Sequence, residues 1–434
     1  MNISSTIRSL GLKPVSGEET YVDRVLDYGI SLPEFDALNQ RAEFIGVTER
    51  FRDVIDTFHT PAGETPAGFE IQTQVSADRV LRVDLKRNIA YDKNGALRPT
   101  KRLFSADSAN PYEVAPISGM LANLTCNPGI IYDLFINNPK ANVGNKFKTR
   151  DEVMAELGRI LGPGVDISVE LNDPFGKSDE EILEEAAHFK ELLSGYRVVI
   201  KVPHTGPVNR TNVSQLLSGD KKLDTRYDEP STKDAFRGHN LALMLHEHGY
   251  RVNFTLMFDP SQTAMALQAR PYFINSFIRH RYMQSREMNR YLKLYQATGD
   301  SAYLEQLRDF MAAKDYYSSS DTDVSVFDAK KKAEILLAQR HFYDAEGSDG
   351  LDGIRANLRL LRQANLPDTR LIICSMEGEK NYFDIDRLLT SDEFCDMADR
   401  IVLTAEPNYL ARFSSSNQVV SYQRRFMNAA NGAQ

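Results

Sequence analysis

Short apolar runs and longer amphipathic stretches alternate along most of this chain. From about residue 100 onward the apolar runs fall at 102–107, 120–125, 165–171, 197–202, 252–258, 272–277, 370–375 and 400–404. They are short, largely β-branched or Leu-rich, and show little strict polar alternation. Strands buried on both faces read this way, as in a parallel sheet covered by helices. The segments between them carry helical signals. Ser178 followed by Glu181 forms a capping box, and Ile182, Ala186, Phe189 and Leu193 then recur on one helical face. Residues 240–248 and 261–269 read the same way. Eight strands alternating with helices predict an α/β chain built as a (β/α)8 barrel. An open doubly wound sheet is the alternative, but no Gly-x-Gly-x-x-Gly follows any run.

Three parts exceed a minimal barrel. Residues 1–98 read as an N-terminal extension with helical pieces, a pair of strands at 69–75 and 80–85, and a turn at Asn94-Gly95. The barrel then spans residues 99–434. Residues 207–238 are polar and sit between the fourth strand and its helix. Residues 282–348 are charged and helical, with Tyr282, Met283, Tyr291, Leu292, Tyr295 and Leu304 as packing positions. Loops that leave a barrel strand at its carboxyl end lie on the catalytic side, so both insertions are expected to cover the pocket. Contact between two copies of the chain is the competing use of such loops, and a homodimer is therefore one expectation.

Composition narrows the class. The 434 residues suit a large barrel with additions. A formal net charge of −8 speaks against a broad nucleic-acid surface. No apolar stretch reaches the roughly 18 residues a membrane span needs. The N-terminus lacks the apolar core of a secretory signal. The three cysteines, Cys126, Cys374 and Cys395, fit a reducing compartment, which places the expected location in the cytoplasm. His246 and His248 are two apart on a helix and point in different directions, so no metal and no cofactor are expected. Cys126 and Cys374 read as buried small hydrophobes.

Barrel chemistry is carried at the carboxyl ends of the strands, so the polar residues that end the apolar runs are the candidates. These are Asp107, Thr125 and Asn127, Glu170, Lys201, Asn253 and Thr255, Asn275, Ser375 and Thr404. Lys201 follows Val198-Val199-Ile200 and would be buried without a local partner. Burial of that kind lowers a lysine's pKa and frees a nucleophilic amine, which can attack a carbonyl to form an imine. The alternative is a structural lysine that snorkels out or pairs with a carboxylate. Imine formation and carbon–carbon cleavage both need proton transfer, for which Asp107 and Glu170 are placed.

At this point the motifs resemble the transaldolase family of Schiff-base-forming aldolases. Leu124-Thr125-Cys126-Asn127-Pro128-Gly129-Ile130-Ile131 is similar to the family's second-strand segment. Val169-Glu170 and Val199-Ile200-Lys201-Val202-Pro203-His204-Thr205-Gly206 resemble its third strand and its Schiff-base strand. Val252-Asn253-Phe254-Thr255-Leu256-Met257-Phe258 with Gln262 resembles the fifth, Ile274-Asn275-Ser276-Phe277 is a looser match to the sixth, and Ala398-Asp399-Arg400-Ile401-Val402-Leu403-Thr404 resembles the last. The resemblance implies a transferase or lyase acting on a small carbonyl or sugar substrate. In it Lys201 is the Schiff-base lysine, Glu170 and Thr255 hold a proton-shuttling water, and Asp107 is the acid/base of the carbon–carbon step. Asn127 and Ser375 bind donor hydroxyls, Asn253 supports the lysine, and Phe277 lines the pocket beside Asn275.

The chain also departs from the pattern. Where phosphate-using transaldolases carry arginines, it has His280, flanked by Arg279 and Arg281, and Glu377. A carboxylate repels a phosphate dianion. The expected substrate is therefore neutral or amine-bearing, unless Arg279, Arg281, Arg210 or Lys380 supplies the charge. A catalytically retired barrel that binds a sugar-like ligand or a partner protein is the reading from a different class. The joint presence of Asp107, Glu170, Lys201 and Thr255 speaks against it.

Overall fold

The structure, a computed structural model, describes residues 4–58, 60–66, 68–92, 96–374, 376, 380–412 and 414–432. Eight strands close into a barrel: β1 (Leu103–Asp107), β2 (Leu121–Thr125), β3 (Asp166–Glu170), β4 (Arg197–Pro203), β5 (Val252–Thr255), β6 (Phe273–Phe277), β7 (Arg370–Cys374) and β8 (Ile401–Ala405). Each pairs in parallel with the next, and β8 closes onto β1 through Val402–Ala405 against Leu103–Ala106. All eight runs read from the sequence are barrel strands. They lack alternation because both faces are buried: Phe254, Leu371 and Ile373 face the helices, while Val199, Ile372 and Val402 fill the interior.

The helices form the outer ring for reasons visible locally. Ser178 caps Asp179–Leu192, accepting from the Glu181 amide, while Glu181 answers on the Ser178 amide at 2.7 Å. That helix buries Ile182, Ala186 and Phe189 against the sheet. The helix after β4 begins at Arg237, where Gly238 lies so close to the Pro203 carbonyl that a Cβ would collide with it. Thr205 ties the same corner by donating to the Asp234 carbonyl at 2.8 Å and accepting from the Gly238 amide at 3.1 Å.

Residues 282–348 lie within three helices, Arg279–Thr298, Ala302–Ala313 and Val326–Gln339, with their connections. These bury a cluster of their own that includes Met288, Leu304, Leu307, Met311 and Leu337. The segment read as 207–238 holds short helical turns at Val213–Leu217 and Thr232–Ala235 and runs into the helix that starts at Arg237. It is joined to the helical insertion: Lys222 donates to the Ala312 carbonyl at 2.5 Å, and the Ser319 amide donates to Leu223 at 3.0 Å.

Before the barrel, Phe69–Val75 and Val80–Arg87 form an antiparallel hairpin, the two strands expected there. The strands Lys13–Pro14 and Phe44–Val47, too short to leave a periodic signal, extend the hairpin to a four-stranded sheet. Helix Glu49–Thr57 packs Phe51 and Ile55 into a cluster with Ile45, Val47, Leu81, Val83 and Leu85. The turn read at Asn94-Gly95 lies outside the described residues. This unit covers the amino-terminal end of the barrel, where Ile89 enters the interior cluster beside Leu103, Phe273 and Val402. Gly68, at a positive φ of 74°, lets the Arg197 guanidinium lie where a Cβ would sit. No described helix is long and apolar enough to cross a membrane.

Candidate functional site

Parallel register decides which side chains meet inside the barrel. Lys201 on β4 pairs with Glu170 on β3, and with Asn253 on β5. Asp107 on β1 pairs with Thr125 on β2. Residues in register on neighbouring strands point to the same face, here inward, and those two earlier on each strand form the layer beneath. The interior is therefore polar in two tiers near its carboxyl end.

The lower tier is a hydrogen-bonded belt. Asn123 donates to Ser105 Oγ at 2.8 Å and accepts from Ser168 Oγ at 3.3 Å. Asn253 donates to Ser168 Oγ at 3.1 Å and accepts from Asn275 Nδ2 at 2.5 Å. Asn275 also donates to the Phe254 carbonyl at 2.8 Å. Every member is buried. A satisfied buried network holds its side chains rigidly, so the belt fixes the floor on which the upper tier stands. Ser105, Asn123 and Ser168 were not singled out from sequence. Their signal was present as a polar residue two positions before Asp107, Thr125 and Glu170 in otherwise apolar runs.

The upper tier carries the ionisable groups. Lys201 Nζ lies 2.9 Å from Glu170 Oε2, with both side chains at least nine-tenths buried. This corrects one expectation from sequence. Lys201 is not without a partner, and its pKa is not lowered. Burial pulls it down, but the Glu170 and Asp107 carboxylates outweigh burial and hold it above the usual lysine value. Asp107 moves the other way. Burial, with Glu406 and Glu170 nearby, pushes its carboxyl up to about 6 despite the attraction of Lys201 and Arg279. Two carboxylates around one ammonium leave the site with an excess of negative charge, and Asp107 takes up that excess by holding its proton more tightly.

Around these groups three threonine hydroxyls, Thr125, Thr255 and Thr404, are buried without a hydrogen-bond partner among the described residues. Each ends or nearly ends its strand at the carboxyl end of the barrel, and a buried hydroxyl without a partner is one that a bound water or substrate would satisfy. Asn127 turns its Oδ1 back onto the Ile130 amide at 2.9 Å. Phe277 is half-buried and packs on Phe258, ring centroids 4.9 Å apart. Cys126 and Cys374 are buried, and burial raises both thiols, Cys126 to about 12. His204 stacks on Phe254 at 4.3 Å, a residue of the outer core between strands and helices.

Two of the arginines offered as phosphate ligands, Arg279 and Arg281, are engaged elsewhere. Arg281 is buried between two carboxylates, Asp352 at 2.6 Å and Asp259 at 3.0 Å, at the root of the helical insertion. Arg279 donates twice to the Met376 carbonyl, at 2.8 and 3.0 Å, and stands 3.5 Å from Glu406. Glu406, just past the end of β8, was missed from sequence because it lies two residues beyond the apolar run at 400–404. Ser375 and Glu377 lie outside the described residues. Among the described residues, no group of three or more His, Cys, Asp or Glu side chains is arranged to hold a metal.

Comparison with known families matches residues 104–340 to the transaldolase/fructose-6-phosphate aldolase model, more than half of the chain. The matched span runs from β1 through β6 into the last helix of the 282–348 insertion. No match to the chain is found among curated proteins.

Proposed function

The chain belongs to the transaldolase/fructose-6-phosphate aldolase family, and from that premise we propose that Lys201 forms a Schiff base with a ketose-like substrate whose carbon–carbon bond is then broken or made. The observation that carries this reading is the Lys201–Glu170 contact at 2.9 Å, deep in the carboxyl end of the barrel. An ammonium cannot attack a carbonyl. A carboxylate in direct contact can take its proton, and the free amine then adds to the carbonyl carbon. The carbinolamine that results loses its hydroxyl as water when the same proton returns through Glu170, and the imine forms. Thr255, with its buried unpartnered hydroxyl in the upper tier, is suited to steady the water that carries this proton.

Asp107 serves the second step. A carboxyl near 6 is largely ionised at neutral pH yet remains a competent acid. As carboxylate it removes the proton from the hydroxyl on the carbon that becomes the aldehyde. The bond between that carbon and its neighbour breaks, and its electrons flow into the imine to give an enamine. The enamine then takes either a proton or an acceptor aldehyde, which is the difference between a lyase and a transferase. The buried belt of Asn123, Ser168, Asn253 and Asn275 keeps the lysine neighbourhood fixed throughout.

The substrate is neutral or cationic at its far end. Asp107, Glu170 and Glu406 surround the site, while Arg281 is held by Asp259 and Asp352 and Arg279 by the Met376 carbonyl and Glu406. A phosphate dianion entering this field would have to pull an arginine from its carboxylate. The test is trapping by borohydride with dihydroxyacetone and, separately, fructose 6-phosphate. Reduction is expected to fix the neutral ketone on Lys201 more efficiently than the phosphate ester. Preferred capture of the ester would refute the substrate assignment, and no adduct with either would refute the Schiff base.

A further inference from the structure

A second cavity lies at the opposite end of the barrel. It has a volume of about 550 Å³ and opens between the N-terminal unit and the amino-terminal rim of the strands. Its walls bring Arg50, Lys86 and Arg87 from the N-terminal unit to Lys190 and Arg251 of the barrel, against two carboxylates, Asp53 and Asp368. Some of this charge is spoken for. Lys86 pairs with Asp368 at 3.2 Å, and Arg50 with Asp84. The remainder is concentrated on the inner wall.

There three guanidinium groups meet one carboxylate. Arg87 and Arg197 both contact Asp166, Arg197 at 3.3 Å, and Asp166 and Arg197 are fully buried. Among the described residues Arg251 has no carboxylate partner; its Nη2 donates to the Val198 carbonyl at 2.9 Å, and its Nε is buried without a hydrogen bond. Arg87 is nine-tenths buried, its guanidinium against Asp166 and 5.2 Å from the centre of the Tyr272 ring. Burial lowers the pKa of Arg251 to about 10, and the neighbouring Arg197 adds to that. Buried charge in excess of its counter-charge is costly, and a bound anion offsets it. Planar guanidinium forks in excess of their carboxylates match the oxygens of a phosphate group in particular. Aromatic side chains, Phe58, Phe69, Tyr196 and Tyr250, line the rest of the space. A cavity of this volume accepts a whole small metabolite beyond its phosphate.

We propose that this cavity binds a phosphate monoester of nucleotide or sugar-phosphate size, its phosphate against Arg87 and Arg251 and its outer oxygens within reach of Lys190. The site is independent of the Lys201 chemistry. It does sit at the start of β4, the strand that carries Lys201 near its other end. The N-terminal unit thus supplies half of a binding site.

Calorimetric titration of the full chain with inorganic phosphate, adenosine monophosphate and glucose 6-phosphate tests this. At least one is expected to bind with a Kd below about 1 mM. Lys190→Glu, at an exposed position that leaves folding intact, is expected to weaken it several-fold, and Arg251→Gln by about tenfold or more. Lys201→Met is expected to leave it unchanged. Tighter binding of the adenosine than of the glucose ester would identify the aromatic wall as a base-stacking surface, and the reverse would identify a sugar phosphate. Absence of binding by all three, binding indifferent to both cavity substitutions, or binding lost in Lys201→Met would each overturn the proposal.

Discussion

Replacing Glu170 with Gln separates the two roles the structure gives this carboxylate. At 2.9 Å from Lys201 Nζ, an effective dielectric near 20 makes the attraction worth about 6 kcal/mol. Asp107 still attracts the ammonium and the glutamine carbonyl can accept a hydrogen bond, but the largest force holding the proton on Lys201 is gone, so the lysine's pKa is expected to fall. With the carboxylate gone, burial governs the lysine. The variant therefore holds more free amine at neutral pH yet lacks the group that moves the proton. The assay is the rate of borohydride trapping with dihydroxyacetone across the neutral and alkaline range. The midpoint of the rate should move to lower pH while the plateau falls by about 100-fold or more. A midpoint that stays in place or moves upward would refute the reasoning, because Glu170 would not then be what holds the proton on Lys201.

Other outcomes follow from the same geometry. Asp107→Asn should slow cleavage sharply while sparing imine trapping on Lys201, and the residual turnover should lack the acidic limb near pH 6; survival of that limb would assign it to another group. The same variant tests linkage. The folded pKa of Asp107, about 6, lies above its ordinary 3.8, so the wild-type chain loses stability as pH rises from about 4 through 6. Because Asp107 keeps part of its surface open, that loss is discounted to about 1 to 2 kcal/mol, and urea unfolding of the variant should show a flatter dependence. Thr255→Val should fold normally and slow imine trapping by about tenfold or more, and an unchanged rate would remove Thr255 from the relay. Arg281→Gln leaves Asp352 buried without its partner and should cost about 3 to 5 kcal/mol in urea unfolding with little change in KM; a selective rise in KM for phosphorylated substrates would make it a ligand after all.

The barrel was legible because its strands are buried on both faces, a condition that leaves continuous apolar runs in the sequence. The hairpin at 69–87 was legible for its length and β-branched content, whereas two- to four-residue strands such as Lys13–Pro14 depend on tertiary pairing alone. The site residues stood out as polar endings to apolar runs. What they do to one another did not. The sequence shows a lysine in an apolar strand, and from that its pKa should fall; only the β3–β4 register reveals Glu170 beside it and reverses the sign. Arg281 looked available because Asp259 and Asp352 are 22 and 71 residues away along the chain. The arginine cluster at the barrel base was invisible for the same reason, since Arg87, Arg197 and Arg251 come from three separate segments.

The most direct test of the account is mass analysis of Lys201 after incubation with dihydroxyacetone and reduction with borohydride. One stable adduct is expected, confined to the peptide that carries Lys201 and absent from Lys201→Met. An adduct on a different lysine, or no adduct at any pH where the amine is free, would contradict it.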